Sequence, residues 1–308
     1  MAISLSSVVL AVTLVQAPAP PPADSLRAAL WARVAADSTD GPAWLELGRL
    51  YLQRGAEYHA HKTPAPRDTT WAQAILDTAQ QAFGRAARWS AGTRTADSAR
   101  VFHVYAVGER AYLDWESGGP EAAILAWHTL PEGLRLPPVL EELGENLLRA
   151  CPHNGILLTA NEHDTQAAWY LRFARGLRAD LVIMPFDRWR GDTVMRGRVM
   201  RDFKARDRAL RALGRTRAVC ASMGFERPPE ERSLRWAKRP LVWVTGKETR
   251  ADRVPAHDFV FAALRLAVDQ HETWSPPAVA LYRRAVSMVP ALCKPFDTFG
   301  LKSEVGCR

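Results

Sequence analysis

The segment Asn161-Glu162-His163-Asp164-Thr165 sets two carboxylates on either side of an imidazole within five residues. Such a group can hold a divalent cation, or divide general-acid from general-base work between Glu162, His163 and Asp164. Local structure explains the same residues: helix capping accounts for Asp164 and Thr165, and a solvated turn for Glu162 and His163. Two further polar clusters follow apolar runs, Asp187-Arg188-Trp189 and Gly246-Lys247-Glu248. Asn161, Thr165, Asp187, Arg188, Trp189 and Lys247 are therefore the candidate ligand contacts. The chain has no P-loop, Gly-x-Ser-x-Gly, His-Glu-x2-His or Gly-x-Gly-x2-Gly motif, and no Cys-x2-Cys pair. No cofactor and no dedicated metal site are expected from it.

These clusters need a scaffold, and the second half of the chain reads as α/β. Pro137 to Ala150 has the apolar spacing of a helix. Ile156–Ala160, Leu181–Met184 and Leu241–Val244 are short apolar runs of the kind that form buried strands. Between them the pattern predicts a helix from Thr165 to Arg175, N-capped by Asp164 and ended by Gly176. A long Arg-rich helix is predicted from Asp192 to about Leu213, and another opened by Pro228-Pro229. Strand, helix, strand, helix, strand predicts a three-stranded parallel sheet between helical layers. Ligands of such sheets sit beyond the carboxyl ends of the strands, where all three polar clusters would then lie.

The run from Cys151 to Thr165, the following Trp169-Tyr170-Leu171 and the corner Gly176-Leu177-Arg178-Ala179-Asp180-Leu181 carry a resemblance. The segment is similar to the soluble C-terminal region of bacterial protein O-mannosyltransferase-like membrane proteins. Those have a Gly-Asp-x-Asp-Thr turn between a strand and a Trp-Tyr-Leu helix; here Asn161-Glu162 replaces Gly-Asp, while Asp164 and Thr165 fit. The membrane-embedded transferase half has no counterpart here. The resemblance therefore implies an extracytoplasmic α/β accessory domain and not glycosyl transfer.

In the first half, apolar residues recur at helical spacing from Asp24 to Pro131, with breaks at Asp40-Gly41, Pro64–Asp68, Ser90–Gly92 and Ser117–Pro120. Trp44-x2-Leu47-Gly48-x2-Tyr51 and Ala79-x3-Phe83-x2-Ala86 resemble the two helices of a tetratricopeptide repeat. An insertion containing His59 and His61 separates them. Such repeats imply a scaffold or a groove for a peptide.

Charge is divided unevenly. Residues 151–308 carry 28 basic and 17 acidic side chains, against 13 and 16 in residues 1–150. The Arg-rich helix 192–213 is a candidate surface for an anionic glycan; no nucleic acid is expected, because no nucleic-acid-binding fold accompanies it. An apolar stretch, Ile3 to Val15, precedes small residues and a Pro-rich spacer, as in a cleaved secretory signal, and is too short and too rich in Ser to span a membrane. Export would place Cys151, Cys220, Cys293 and Cys307 in an oxidising compartment, where Cys293 with Cys307 is the favoured pair for fastening the C-terminal tail.

The expected organisation is α + α/β: a signal and spacer (1–23), tetratricopeptide-like helical hairpins (24–133), and a small three-layer α/β domain with a parallel sheet and C-terminal helices (137–308). The expected function is non-enzymatic binding or assembly at the bacterial cell envelope, periplasmic or secreted, with a protein or peptide partner on the helical half. The alternative is a metal-assisted enzyme acting on a glycan through the Glu162/His163/Asp164 turn.

Overall fold

The computed structural model describes residues 23–58, 69–204, 210–230, 234–247 and 253–308. The apolar leader with its Pro-rich spacer, His59 and His61, and Glu248 lie outside them.

Five helices open the chain: α1 (Ala23–Ala36), α2 (Gly41–Glu57), α3 (Thr69–Trp89), α4 (Arg94–Gly118) and α5 (Pro120–Trp127). Their boundaries follow from capping chemistry. Asp40 Oδ1 accepts the Ala43 N–H at 2.9 Å, satisfying a donor that the first turn of α2 leaves open. Gly119, at φ 82°, supplies the left-handed residue that separates α4 from Pro120. Gly48 on α2 lies against the Phe83 ring of α3, where a Cβ would come within 2.5 Å of the ring. The two half-motifs seen in the sequence thus pack on each other.

The second half begins with α6 (Pro138–Ala150), then β1 (Ile156–Thr159), α7 (Glu162–Trp169), β2 (Val182–Pro185), α8 (Phe186–Gly191), α9 (Thr193–Asp202) and α10 (Leu210–Gly214). The strands β3 (Ala218–Ser222), β4 (Ala237–Arg239) and β5 (Val242–Gly246) follow, then α11 (Ala262–Asp269), α12 (Ser275–Met288) and α13 (Cys293–Thr298). After Trp169 the backbone of α7 widens into a π turn, Tyr170–Ala174, before Gly176 ends it at φ 69°. Glu142 of α6 accepts the Ala263 and Leu264 N–H groups at 2.8 and 2.9 Å, tying the start of α11 to the rest of the fold.

The sheet order is β2-β1-β3-β5-β4. β1 is parallel to both neighbours, with Leu157 opposite Ile183 and Cys220. β5 runs antiparallel to β3, with Val219 opposite Thr245, and also to β4. The all-parallel, three-stranded sheet expected from the sequence is thus a mixed, five-stranded one. The strands that the apolar runs did not reveal are β4, only three residues long, and β3, Ala-Val-Cys-Ala-Ser, which has a single β-branched residue yet is buried along its whole length. With β3 inserted beside β1, β5 pairs with it in reverse and turns its carboxyl end to the far side of the sheet.

Two expected helices also differ. The Arg-rich helix stops at Asp202, because Lys204 adopts φ 51°, which a right-handed helix cannot contain. After Pro228-Pro229 the described residues carry no helix before β4.

One apolar core runs from Leu52 and Phe83 through Tyr105, Leu140 and Leu157 to Phe261 and Val305. Helical half and sheet therefore share buried surface. Two disulfides lie within the second half. Cys293–Cys307, the expected pair, has a Cα separation of 5.6 Å. Cys151–Cys220, at 5.8 Å, joins the end of α6 to the middle of β3. Among the described residues no helix is long and apolar enough to cross a membrane.

Candidate functional site

The turn 161–165 begins with its own cap. Asn161 Oδ1 accepts the His163 and Asp164 N–H groups at 2.9 and 3.1 Å. Asp164 answers by accepting the Ala160 and Asn161 N–H groups at 3.0 and 2.8 Å, completing a reciprocal capping box. The N-cap is thus Asn161, not Asp164 as the sequence suggested, and α7 starts three residues earlier. Asp164 is 1% exposed. Burial raises its carboxyl pKa above the usual carboxylate value against the pull of these donors. Thr165 Oγ1 donates to the Asn161 carbonyl at 2.7 Å and lies 2.6 Å from Thr159 Oγ1. Asp164 and Thr165 are held inside the turn.

The side chains of Glu162 and His163 part company. His163 Nδ1 shares a hydrogen bond with Tyr105 Oη at 2.9 Å, and its ring stands edge-on to Trp274 at 5.7 Å. Burial lowers its pKa. Glu162 instead lines a cleft of about 570 Å³ that also takes in Arg49 of α2 and Glu109 of α4. The described helical half thus forms one wall of this cleft, and the ends of β1 and β2, with Asp187 and Arg188, form the other. Two of the three expected strand-end clusters therefore converge. The third does not: Lys247 N donates to the Arg217 carbonyl at the start of β3, at the opposite end of the sheet.

Charge within the cleft is paired unequally. Arg188 Nη2 donates to both Glu109 oxygens, at 2.7 and 2.6 Å, and Gln166 Nε2 donates to Glu109 Oε1 at 2.8 Å. The Arg188 side chain is 10% exposed and that of Glu109 4%. The guanidinium also lies 4.4 Å from the Tyr112 ring centroid and 5.4 Å from that of Trp169, so the face of Tyr112 takes the place of a further acceptor. Burial opposes the charge on Arg188, but Glu109 and Tyr112 outweigh it and raise its pKa above the usual arginine value. Arg49 pairs with Glu46 at 3.2 Å.

Glu162 is left over. Among the described residues its carboxylate has no hydrogen-bond or salt-bridge partner. It is exposed to solvent yet crowded by protein, and that crowding, reinforced by repulsion from Glu109 and only partly offset by Arg188 and Arg49, raises its pKa to about 7. Asp187 is exposed at the same mouth. The cleft thus presents uncompensated negative charge beside a neutralised arginine.

Of the remaining candidates, Trp189 is buried in the core at 5% exposure. Arg198, on the Arg-rich helix, donates to the Glu116 and Ser117 carbonyls at 2.9 and 3.1 Å, closing the end of α4. Among the described residues no three His, Cys, Asp or Glu side chains are grouped as ligands for a metal ion. Glu46, Arg49 and Glu109 were not singled out from the sequence. Glu109 carried a signal: it sits four residues after Tyr105 and three before Tyr112, a charge on the buried stripe of α4. Comparison with protein-family models, curated proteins and solved structures finds no match.

Proposed function

We propose that this chain is an exported binding protein that holds a basic group of a peptide or protein partner in the cleft between its helical half and the strand ends of β1 and β2. The observation that carries this reading is the unpaired Glu162 carboxylate, set among Glu46–Arg49 and Glu109–Arg188 pairs that already neutralise the cationic side chains there. A lysine or arginine of the partner would relieve the repulsion between Glu162 and Glu109. The apolar wall from Leu50, Leu52 and Phe102 would take the aliphatic stem. Export is supported by the leader-like first residues and by the two disulfides. The role is that of an accessory, non-enzymatic module of the cell envelope, as the resemblances of both halves imply.

Calorimetric titration with tri-lysine and tri-glutamate tests the reading. Tri-lysine should bind at about pH 8 and bind roughly tenfold more weakly at about pH 6, where Glu162 is mostly protonated. Glu162→Gln should remove the pH dependence, and tri-glutamate should not bind. Equal binding of both peptides, or unchanged tri-lysine binding by Glu162→Gln, would contradict it. Turnover of a glycan that required Glu162 and a divalent cation would favour an enzyme instead.

A further inference from the structure

A second cavity, of about 480 Å³, lies on the other side of α4, beside the free edge of β2. Its walls are aromatic: Tyr112 stacks on Trp115 at 5.8 Å and on Trp169 at 5.4 Å, and Trp127 and Phe173 face the same space. Met184 and Met195, both 1% exposed, close the floor behind these rings, where their unbranched side chains fill irregular gaps. The cavity opens to solvent at one side and has room for on the order of a dozen waters at about 30 Å³ each. Waters lining indole and phenyl faces would find few hydrogen-bond partners, so the cavity suits an apolar guest. Its size falls within the roughly 300–1,000 Å³ of small-molecule sites.

The rim is cationic. Arg172 Nε and Nη2 donate to the Leu181 and Ala179 carbonyls at 3.3 and 2.6 Å. Arg217 Nη1 donates to the Asn154 carbonyl at 2.9 Å, its guanidinium 4.5 Å from the Phe203 ring centroid. Because Asn154 N–H donates to Asp180, the neighbour of both Ala179 and Leu181, the two guanidiniums converge on one end of the cavity. Neutral carbonyls fix their positions without cancelling their charge. Asp180, the carboxylate at that end, is already engaged by Arg178 through two contacts of 2.9 and 3.0 Å. Arg198 lies at the rim as well, paired with Asp202 at 3.9 Å.

We infer that this cavity binds a small anionic amphiphile, its apolar chain against Trp115 and Phe173 over a floor of Tyr112, Trp127, Trp169 and Met195 and its carboxylate between Arg172 and Arg217. The site is independent of the Glu162 cleft and would stand if that reading fell.

The test uses decanoate and decanol below their micellar concentrations, with binding to the full chain followed by tryptophan fluorescence, since three indoles line the cavity. Decanoate should saturate a single site, and decanol should bind about tenfold more weakly, the order expected for one lost ion pair. Arg172→Gln/Arg217→Gln should bring decanoate down to the level of decanol while leaving decanol unchanged, which also shows that the cavity is intact. Ala123→Trp, which fills the cavity from α5, should abolish both. Absence of saturable decanoate binding, equal affinity for the two probes, or decanoate affinity unchanged in the double arginine variant would each overturn the assignment.

Discussion

At the scale of residues, an ion pair between Glu109 and Arg188 joins the two halves of the chain. Glu109 and Arg188 come from helices far apart in sequence, and each is nearly enclosed. Removing one partner of such a pair strands the other charge in protein, so Glu109→Ala should lower unfolding free energy by about 3–5 kcal/mol in denaturant titration. Replacing both, as Glu109→Leu/Arg188→Met, should recover most of that loss, because the cost lies in the unpaired ion and not in the absence of the pair. Glu162 makes the opposite prediction. Its folded-state pKa of about 7 stands above the 4.5 of an unperturbed glutamate. The folded state therefore holds a proton that the unfolded chain releases between those values, and stability falls as pH rises through that window. Glu162→Gln should be more stable than the parent above about pH 7, with the difference vanishing below about pH 4.5. A difference of constant size across that range would count against the assigned environment.

Among the elements, α7 shows what local sequence does and does not specify. The helix and its Gly176 stop were readable, as were β1 and β2, because each is an apolar run or a capping pattern within a few residues. The identity of the cap was not, because Asn161 and Asp164 are both good caps and only the fold decides which stands outside the first turn. Asn161→Ala should cost about 0.5–2 kcal/mol, the usual loss of a cap. Asp164→Ala should cost more, since it leaves two backbone donors open and removes a buried acceptor from Ser222 as well. The reversed order in thermal or chemical unfolding would contradict the buried acceptor role assigned to Asp164. The direction of β5 could not be read locally at all. It depends on β3, whose Ala, Cys and Ser give no periodic signal, and with β5 reversed Lys247 leaves the site. The cleft was half legible for the same reason: strand ends were predictable, but the helices that wall it depend on tertiary packing. Gly144 on α6 shows how close that packing is, because a Cβ there would lie 2.8 Å from the Ala167 carbonyl oxygen of α7. Gly144→Ala should cost about 1–3 kcal/mol, as overpacking between two backbones does.

For the whole molecule, a continuous core and one of its two disulfides, Cys151–Cys220, hold the site in place, while Cys293–Cys307 fastens the C-terminal tail. Cys151–Cys220 closes a loop of 69 residues that contains β1, α7, β2 and α8, and so both strand-end clusters of the cleft. By loop entropy alone that link contributes about 4 kcal/mol, against about 3 kcal/mol for the 14-residue loop of Cys293–Cys307. Cys151→Ala/Cys220→Ala should therefore lower stability more than Cys293→Ala/Cys307→Ala, and reductant should destabilise the parent by a comparable total. Helical half and strand ends together hold the Glu162 carboxylate without an ion-pair partner among the described residues, and on the proposed function it receives a cation. The most direct measurement is the pH titration of the Glu162 carboxyl carbon by NMR, assigned by its loss in Glu162→Gln, with and without tri-lysine. A midpoint near 7 in the free protein that moves to lower pH when the peptide is present is the predicted result; a midpoint near 4.5, unmoved by peptide, would contradict the account.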